Sequence, residues 1–413
     1  MLNPKKIFLM HYSPVNAGSV AMAESAISSI EKTFLDSEII IESDYPKETK
    51  DMFPSVTVVK RAFSTADLKI TKKVFSVGFI LKNFSFLTRV ALVFLFSFLA
   101  AVFKFKKTPF AGVNAMVGSD LVLSLAGDSI SQDYAYPLRF YEFWLIKRFK
   151  IPNILYAQSV GPFDGNSRRQ AQKSLNWVTA ILARDKKTIE LMKEYGIKVP
   201  IYRTADAAII LPTITDIKVK KAIQQNNLDK VKKVGIVIRD VKFTQYTEKE
   251  YAGYQKGMFN IIKFLETLNL EPIFVSSSIV DLNTILNFKE KYNLNYPVIR
   301  LFDYKPSQIK GILQNLYFLI SPRMHPIILA SSSDRAVPVI GLGREFKMKE
   351  YLELIGLEDN FLDMIPLKED LLKEKIKNLI NNYDKIKSKL KRNHPKMKKM
   401  SSSNIGIVKK IIS

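Results

Sequence analysis

Arg323 and His325 stand two residues apart in SPRMH, where the apolar run YFLIS gives way to helix-forming residues. An arginine presents a planar fork of donors that suits carboxylate and phosphate. A histidine exchanges protons near neutral pH. On one strand-to-helix turn both can face a cleft, so together they can hold an anion and move a proton. A second arginine, Arg184, closes another apolar run in ILARD, beside Asp185, a residue type that caps helices. Cations also follow apolar runs at Arg239 in GIVIRD and at Lys347 in REFK. Asp128 in LAGDS adds a carboxylate at the end of the run LVLSL.

Small and polar residues cluster after three of the same runs. They are Asn16 and Gly18 in SPVNAGS, Gly127 in LAGDS, and Gln158 and Ser159 in AQSVGPF. Small residues let backbone amides approach a ligand at a helix N-terminus. Each loop taken singly can equally be a tight turn without a ligand.

Other chemistries are excluded by composition. Cysteine is absent, so there is no disulfide framework, thiolate metal site or cysteine nucleophile. The only histidines are His11, His325 and His394, none of them paired at ligand spacing, and no metal is signalled. The motifs G-x-S-x-G, G-x-x-x-x-G-K-[ST] and G-x-G-x-x-G do not occur.

The elements that must position these residues alternate along the chain. Apolar runs predict strands at 6–10, 121–125, 154–158 and 181–183, then at 234–238, 272–275, 298–301, 317–320 and 337–340. Amphipathic stretches between them predict helices, including 19–34, 137–149, 167–179 and 187–195. This alternation is α/β with parallel sheets. A polar, lysine-rich break near 212–232 separates two such sets. The expected architecture is therefore two Rossmann-like domains facing across a cleft, residues 1–220 and 221–366, with a basic helical tail at 367–413. Ligands of such sheets bind at the carboxyl ends of the strands.

Two segments stand apart. The stretch 74–110 carries an apolar core at 90–103, VALVFLFSFLAAVF, flanked by Arg89 and by Lys104, Lys106 and Lys107. It falls short of the roughly 20 residues a spanning helix needs, which favours a buried core helix or a helix lying among lipid headgroups over a true span. The tail carries eight basic residues between Lys385 and Lys399. That charge suits a solvated helix face, a membrane surface or nucleic acid, but no aromatic side chains are interleaved there to stack on bases. The whole chain has a formal charge of +24, which favours anionic partners.

The ordered set LAGDSISQDY, ILYAQSVGPF, ILARDKKTIELMKEYGI, ADAAIILP and SPRMHPIILASSSDRAVPVIGL, followed by Lys347, resembles the polysaccharide pyruvyl transferase family. The likeness spans roughly residues 5–365, and the stretch 74–110 has no counterpart in it. It implies a fold similar to two-domain glycosyltransferases of the GT-B type, phosphoenolpyruvate as donor, a hydroxyl pair on a polymeric or polyprenyl-linked glycan as acceptor, and a cyclic ketal product. It further implies that Arg184 and Arg323, with Lys347 and Arg239, grip the donor's phosphate and carboxylate. His325 then serves as acid–base and Asp128 orients or deprotonates the acceptor, with no cofactor and no metal. The expected setting is the cytoplasm, at the inner membrane face, with 90–103 touching lipid and no nucleic acid bound. Two other readings stay open: a GT-B glycosyltransferase using a nucleotide sugar, and a non-catalytic module driven by charge.

Overall fold

A computed structural model describes residues 4–64, 77–125, 127–134, 136–240, 246–344 and 346–413, with side chains of 77–86 excepted. Ala126 of the LAGDS loop, Glu345 of REFK and the beginning of the 74–110 stretch lie outside the described residues.

The apolar runs of the first half pair as seven strands: β1 (Lys6–Met10), β2 (Glu38–Ser43), β3 (Thr57–Lys60), β4 (Leu121–Ser124), β5 (Asn153–Gln158), β6 (Ala180–Ala183) and β7 (Ile201–Arg203). The central ones are buried along their whole length, which is why they read as unbroken apolar runs. Their order is β3-β2-β1-β4-β5-β6-β7, and every pairing is parallel. The second half repeats the plan with β8 (Lys233–Ile236), β9 (Glu271–Ser276), β10 (Val298–Arg300), β11 (Phe318–Ser321), β12 (Val339–Gly343) and β13 (Phe361–Asp363). Their order is β10-β9-β8-β11-β12-β13, again parallel throughout. Both sheets thus reverse their winding between the first strand and the fourth, and such a switch point opens a ligand crevice at the strands' carboxyl ends.

Several boundaries differ from the sequence expectation. The helix expected at 167–179 runs Gly165–Leu175, because Asn176 caps it ahead of β6. Strands β2, β3, β7 and β13 were not anticipated; β7 and β13 have three residues each, too few to show a period.

The apolar segment forms part of the helix Val77–Phe103. Val93, Ala100, Ala101 and the small Ser97 turn inward, where Ser97 bonds Tyr141 of the helix Tyr136–Arg148 at 2.8 Å. Leu92, Leu95, Phe98, Val102 and Phe103 remain exposed on the other side. Among the described residues, no helix is long and apolar enough to cross a membrane.

The basic tail is two helices, Glu369–Asn381 and Tyr383–Ile412. In the second, Leu390, Met397, Ser401, Asn404, Val408 and Ile412 form a buried stripe at helical spacing. Leu390 and Met397 pack in a core that spans the two lobes, and Val408 and Ile412 complete the core beneath the first sheet. The lysines occupy the remaining faces, so this helix straps one lobe to the other.

Candidate active site

The two switch points face each other. The helix Ala17–Thr33 follows β1, capped by Asn16, whose Oδ1 accepts from Gly18 N at 2.9 Å and Ser19 N at 3.4 Å. Asn16 is exposed and its acceptor is engaged as a cap. Gly18 is buried against the ring of His325, which belongs to the helix Met324–Ser331 after β11. The amide of Ala17 also donates to Ser277 O, past β9, at 3.3 Å. A side chain at position 18 would overlap the imidazole, so the glycine permits this approach between lobes.

Arg184, at the end of β6, is buried. Its Nε donates to Ser159 Oγ at 2.9 Å and its Nη1 to Asp206 Oδ2 at 2.6 Å. Ser159 in turn bonds Asp185, which caps the helix Lys186–Glu194 through Thr188 N at 2.7 Å. Asp206 follows β7 and holds Ala208 N at 2.9 Å. The same Asp206 Oδ2 lies 3.8 Å from His325 Nε2. Arg184 and His325 therefore flank one carboxylate oxygen. His325 Nε2 is buried and has no hydrogen-bond partner among the described residues.

Asp128 and Lys347 form the opposite wall, their charges 2.7 Å apart across the lobes. Gly127, at φ 63°, turns the chain into this loop, and its carbonyl receives Ser159 N at 2.8 Å. Arg323 donates to Asp281 Oδ1 through Nε at 3.1 Å and Nη2 at 2.5 Å. Arg239 lies half-buried beyond β8, at the carboxyl edge of the same sheet. Gln158 is wholly buried and points away, donating to Ser124 Oγ at 2.8 Å.

The electrostatics follow from burial and from alternating charge. Burial lowers the His325 pKa from its ordinary value; Arg184 and Arg323 act in the same direction, against Asp206 and Asp128. The imidazole is accordingly neutral at pH 7. Burial works against ionisation of Asp128, yet Lys347 and Arg184 hold its carboxyl well below the usual carboxylate range.

Behind the site lies a second polar group. His11 Nε2 meets Glu142 Oε2 at 2.8 Å and Nδ1 meets Ser124 Oγ at 2.8 Å. Glu42 accepts from His11 N at 2.9 Å and Arg61 Nε at 3.2 Å. His11, Glu42 and Glu142 bring ligand atoms within 4.8 Å of one another. Arg61 and Arg139 already supply the positive charge that these carboxylates require, and burial, reinforced by Arg139, holds the His11 pKa well below the ordinary value. We read the group as a buried ion network bracing the ends of β1, β2 and β4. A separate cavity of about 400 Å³, touching Lys186, Arg203, Leu354 and Met400, shares no side chain with the Arg184–His325 cluster. Within the cluster His325 and Asp128 are both shifted, at strand ends where the two lobes meet, and this makes it the candidate active site.

Sequence reasoning missed Asp206 and Asp281. Asp206 was visible only as an acid ahead of a run of small residues in ADAAII, and its partners lie 22 and 119 positions away.

Solved structures share this architecture. A glycosyltransferase from Rickettsia africae has a TM-score of 0.56 at 13% identity, covering 100% of each chain. Anabaena Alr3699/HepE in complex with UDP-glucose has a TM-score of 0.54 at 12% identity, with 99% of this chain and 98% of that one covered. UDP-GlcNAc 2-epimerase from Neisseria meningitidis, bound to UDP-GlcNAc, has a TM-score of 0.57 at 12% identity, with 98% and 99% covered. At such identities the likeness defines the fold alone: two facing α/β lobes of the GT-B type. Among curated proteins, none matches the sequence significantly. The family model described as "Polysaccharide pyruvyl transferase" matches residues 16–345, most of the chain. The chain belongs to the polysaccharide pyruvyl transferase family, and it is a transferase.

Proposed function

We propose that the protein transfers the pyruvyl group of phosphoenolpyruvate to two hydroxyls of a glycan, forming a cyclic ketal. The observation that carries the reading is the unpartnered Nε2 of His325, buried beside the Arg184–Asp206 pair and across the lobe contact from Asp128 and Lys347. Phosphoenolpyruvate bears a phosphate and a carboxylate, and Arg323, Lys347 and Arg184 supply cations for them. Each of these cations is paired with an acid in the ligand-free protein. An incoming anion therefore takes over existing pairs instead of meeting naked charge, and this limits the desolvation cost. Asn16 and Gly127, past β1 and β4, and Arg239, past β8 of the facing sheet, are further candidates for the donor loops.

The proton transfers follow from the electrostatics. The neutral imidazole of His325 gains a proton when a bound dianion raises its pKa. It then protonates the methylene carbon of the enolpyruvyl group, and positive character develops at the central carbon. A glycan hydroxyl attacks that carbon and gives up its proton, with Asp128 as acceptor or orienting group. The carbon–oxygen bond to phosphate breaks, the phosphate leaving with the first hydroxyl's proton, and the second hydroxyl closes the ketal as its own proton passes to His325. Asp206 is a positioning residue: it holds Arg184 and faces Nε2 without touching the substrate.

The test is phosphate release from phosphoenolpyruvate over a panel of hexose and N-acetylhexosamine acceptors. Turnover is expected with at least one acceptor, and Arg184→Ala and His325→Ala should each abolish it. A second reading, transfer from a nucleotide sugar, draws support from UDP ligands in similar folds. Calorimetric binding of a UDP-sugar, with none of phosphoenolpyruvate, would replace the first reading by the second.

A further inference from the structure

We propose that the exposed apolar side of the helix Val77–Phe103 docks on an anionic lipid bilayer. A surface helix ordinarily buries one apolar stripe and turns polar residues to water. Here the buried stripe, Val93, Ser97, Ala100 and Ala101, is already seated on the fold, and the opposite side is also apolar. Leu95 and Phe98 are half exposed, at 51% and 50%, and Phe103 is exposed at 70%. With Leu92 and Val102 they fall at spacings of three, three, four and one, a continuous strip along one side of the helix. Exposed contiguous apolar surface of this kind marks an interaction site.

The charge around the strip selects the occupant. Lys104, Lys106 and Lys107 follow the helix and are exposed. Lys104 reaches the carbonyl of Arg148, so Arg148 and Lys150 join the same end. No acidic residue occurs between Leu68 and Ser119. A two-fold contact between copies of this chain would set the same patch against itself, and the patch holds no acid to neutralise those lysines. An anionic bilayer accepts both features, burying the apolar side chains in the interface and attracting the lysines to its headgroups.

The placement relates the surface to the cleft. At the start of the strip, Arg89 Nη2 donates to Arg61 O at 2.9 Å, and Arg61 bonds the carbonyl of Tyr12, just past the carboxyl end of β1. The exposed strip thus begins near the cleft edge of the first lobe and runs away from it, towards Arg148. A bilayer along it lies beside the candidate site, within reach of a lipid-borne glycan. Only this last clause rests on the proposed transferase chemistry; the docking is read from the surface itself.

Flotation of the full chain tests it, with vesicles of phosphatidylcholine alone and of phosphatidylcholine with phosphatidylglycerol. The protein is expected to float with the anionic vesicles, and less as salt rises. Leu95→Glu with Phe98→Glu should reduce partitioning by more than about tenfold. Lys104→Gln and Lys106→Gln should each reduce it by about fivefold. Melting temperatures equal to wild type show that the variants fold, since all four positions are exposed. Three results would overturn the proposal. One is wild type that stays with the soluble fraction, and another is flotation indifferent to the glutamates. The third is a vesicle-free dimer, seen by sedimentation, that the glutamates make monomeric. Phosphate release on a soluble sugar is read separately, so failure of the chemistry does not pass for failure of docking.

Discussion

Gly18→Ala separates stability from activity. By helix propensity alone the change is favourable by up to about 1 kcal/mol, since alanine suits the first turn of a helix better than glycine. Gly18 has no left-handed backbone that would forbid it. The obstacle is across the cleft. A Cβ at position 18 would stand 2.6 Å from Cε1 of His325 and nearer still to Nδ1 and Cγ. Carbon atoms settle at about 3.5–4.0 Å, so the ring must retreat by about 1 Å or more. Because Cγ is among the overlapping atoms, turning the ring about its own bond does not relieve the clash. The χ1 torsion must change, or the lobes must part. Misplacement of a catalytic group by about 1 Å costs on the order of 10²-fold in rate. We expect phosphate release by Gly18→Ala to fall by about that factor while the protein stays folded, since an overpacking cost of about 1–3 kcal/mol is offset in part by the gain in helix propensity. Wild-type turnover would refute the reasoning, because it would mean that His325 need not occupy this position.

Three further outcomes are expected. The His325 imidazole, followed by NMR in the free protein, should titrate below the ordinary histidine value and move upward when phosphoenolpyruvate is added; a downward move would contradict the assigned role. Asp206→Asn removes the main influence holding the His325 pKa up, so that titration should shift further down; breaking the buried pair with Arg184 should also cost about 3 kcal/mol in chemical denaturation, and an unshifted imidazole would detach Asp206 from the site. Lys310 is buried, donates to Ile209 O at 3.0 Å and Leu211 O at 2.8 Å, and has its pKa pushed down to about 7, chiefly by burial. The unfolded chain keeps that proton to about pH 10.4, so folding releases it and this contribution to stability rises with pH from about 7 to about 10. The difference in unfolding free energy between wild type and Lys310→Met should therefore grow by about 2 kcal/mol from pH 7 to pH 9, and a flat difference would show that Lys310 is neutral in neither state or in both.

The legible parts of the fold were those buried on all sides. Strands β1, β4, β5 and β11 show as apolar runs because both their faces meet protein. Edge strands such as β7 and β13 contribute three residues each to a ladder and carry no such signal. The strand-end arginines and His325 stood out because their types are costly at the edge of a core without a purpose. Asp206 and Asp281 did not, since their significance comes from partners on other elements. The tail read as lysine-rich because its buried stripe includes Ser401 and Asn404, polar residues that bond the carbonyls of Asp206 and Ala205 at 2.7 Å and 3.0 Å. The apolar helix was ambiguous for the opposite reason: both its sides are apolar, and no periodicity tells which one the fold covers.

The strapping helix has a consequence for biosynthesis. Val408 and Ile412 fill the core beneath a sheet whose first strand begins at Lys6, and Ser401 holds the backbone of Asp206. While the chain is still emerging from the ribosome, the first lobe has its strands but not its floor, and the Asp206 loop lacks its clasp. The helix therefore both completes the first lobe and closes it onto the second, and the Asp206 loop takes its final position only after translation has passed it.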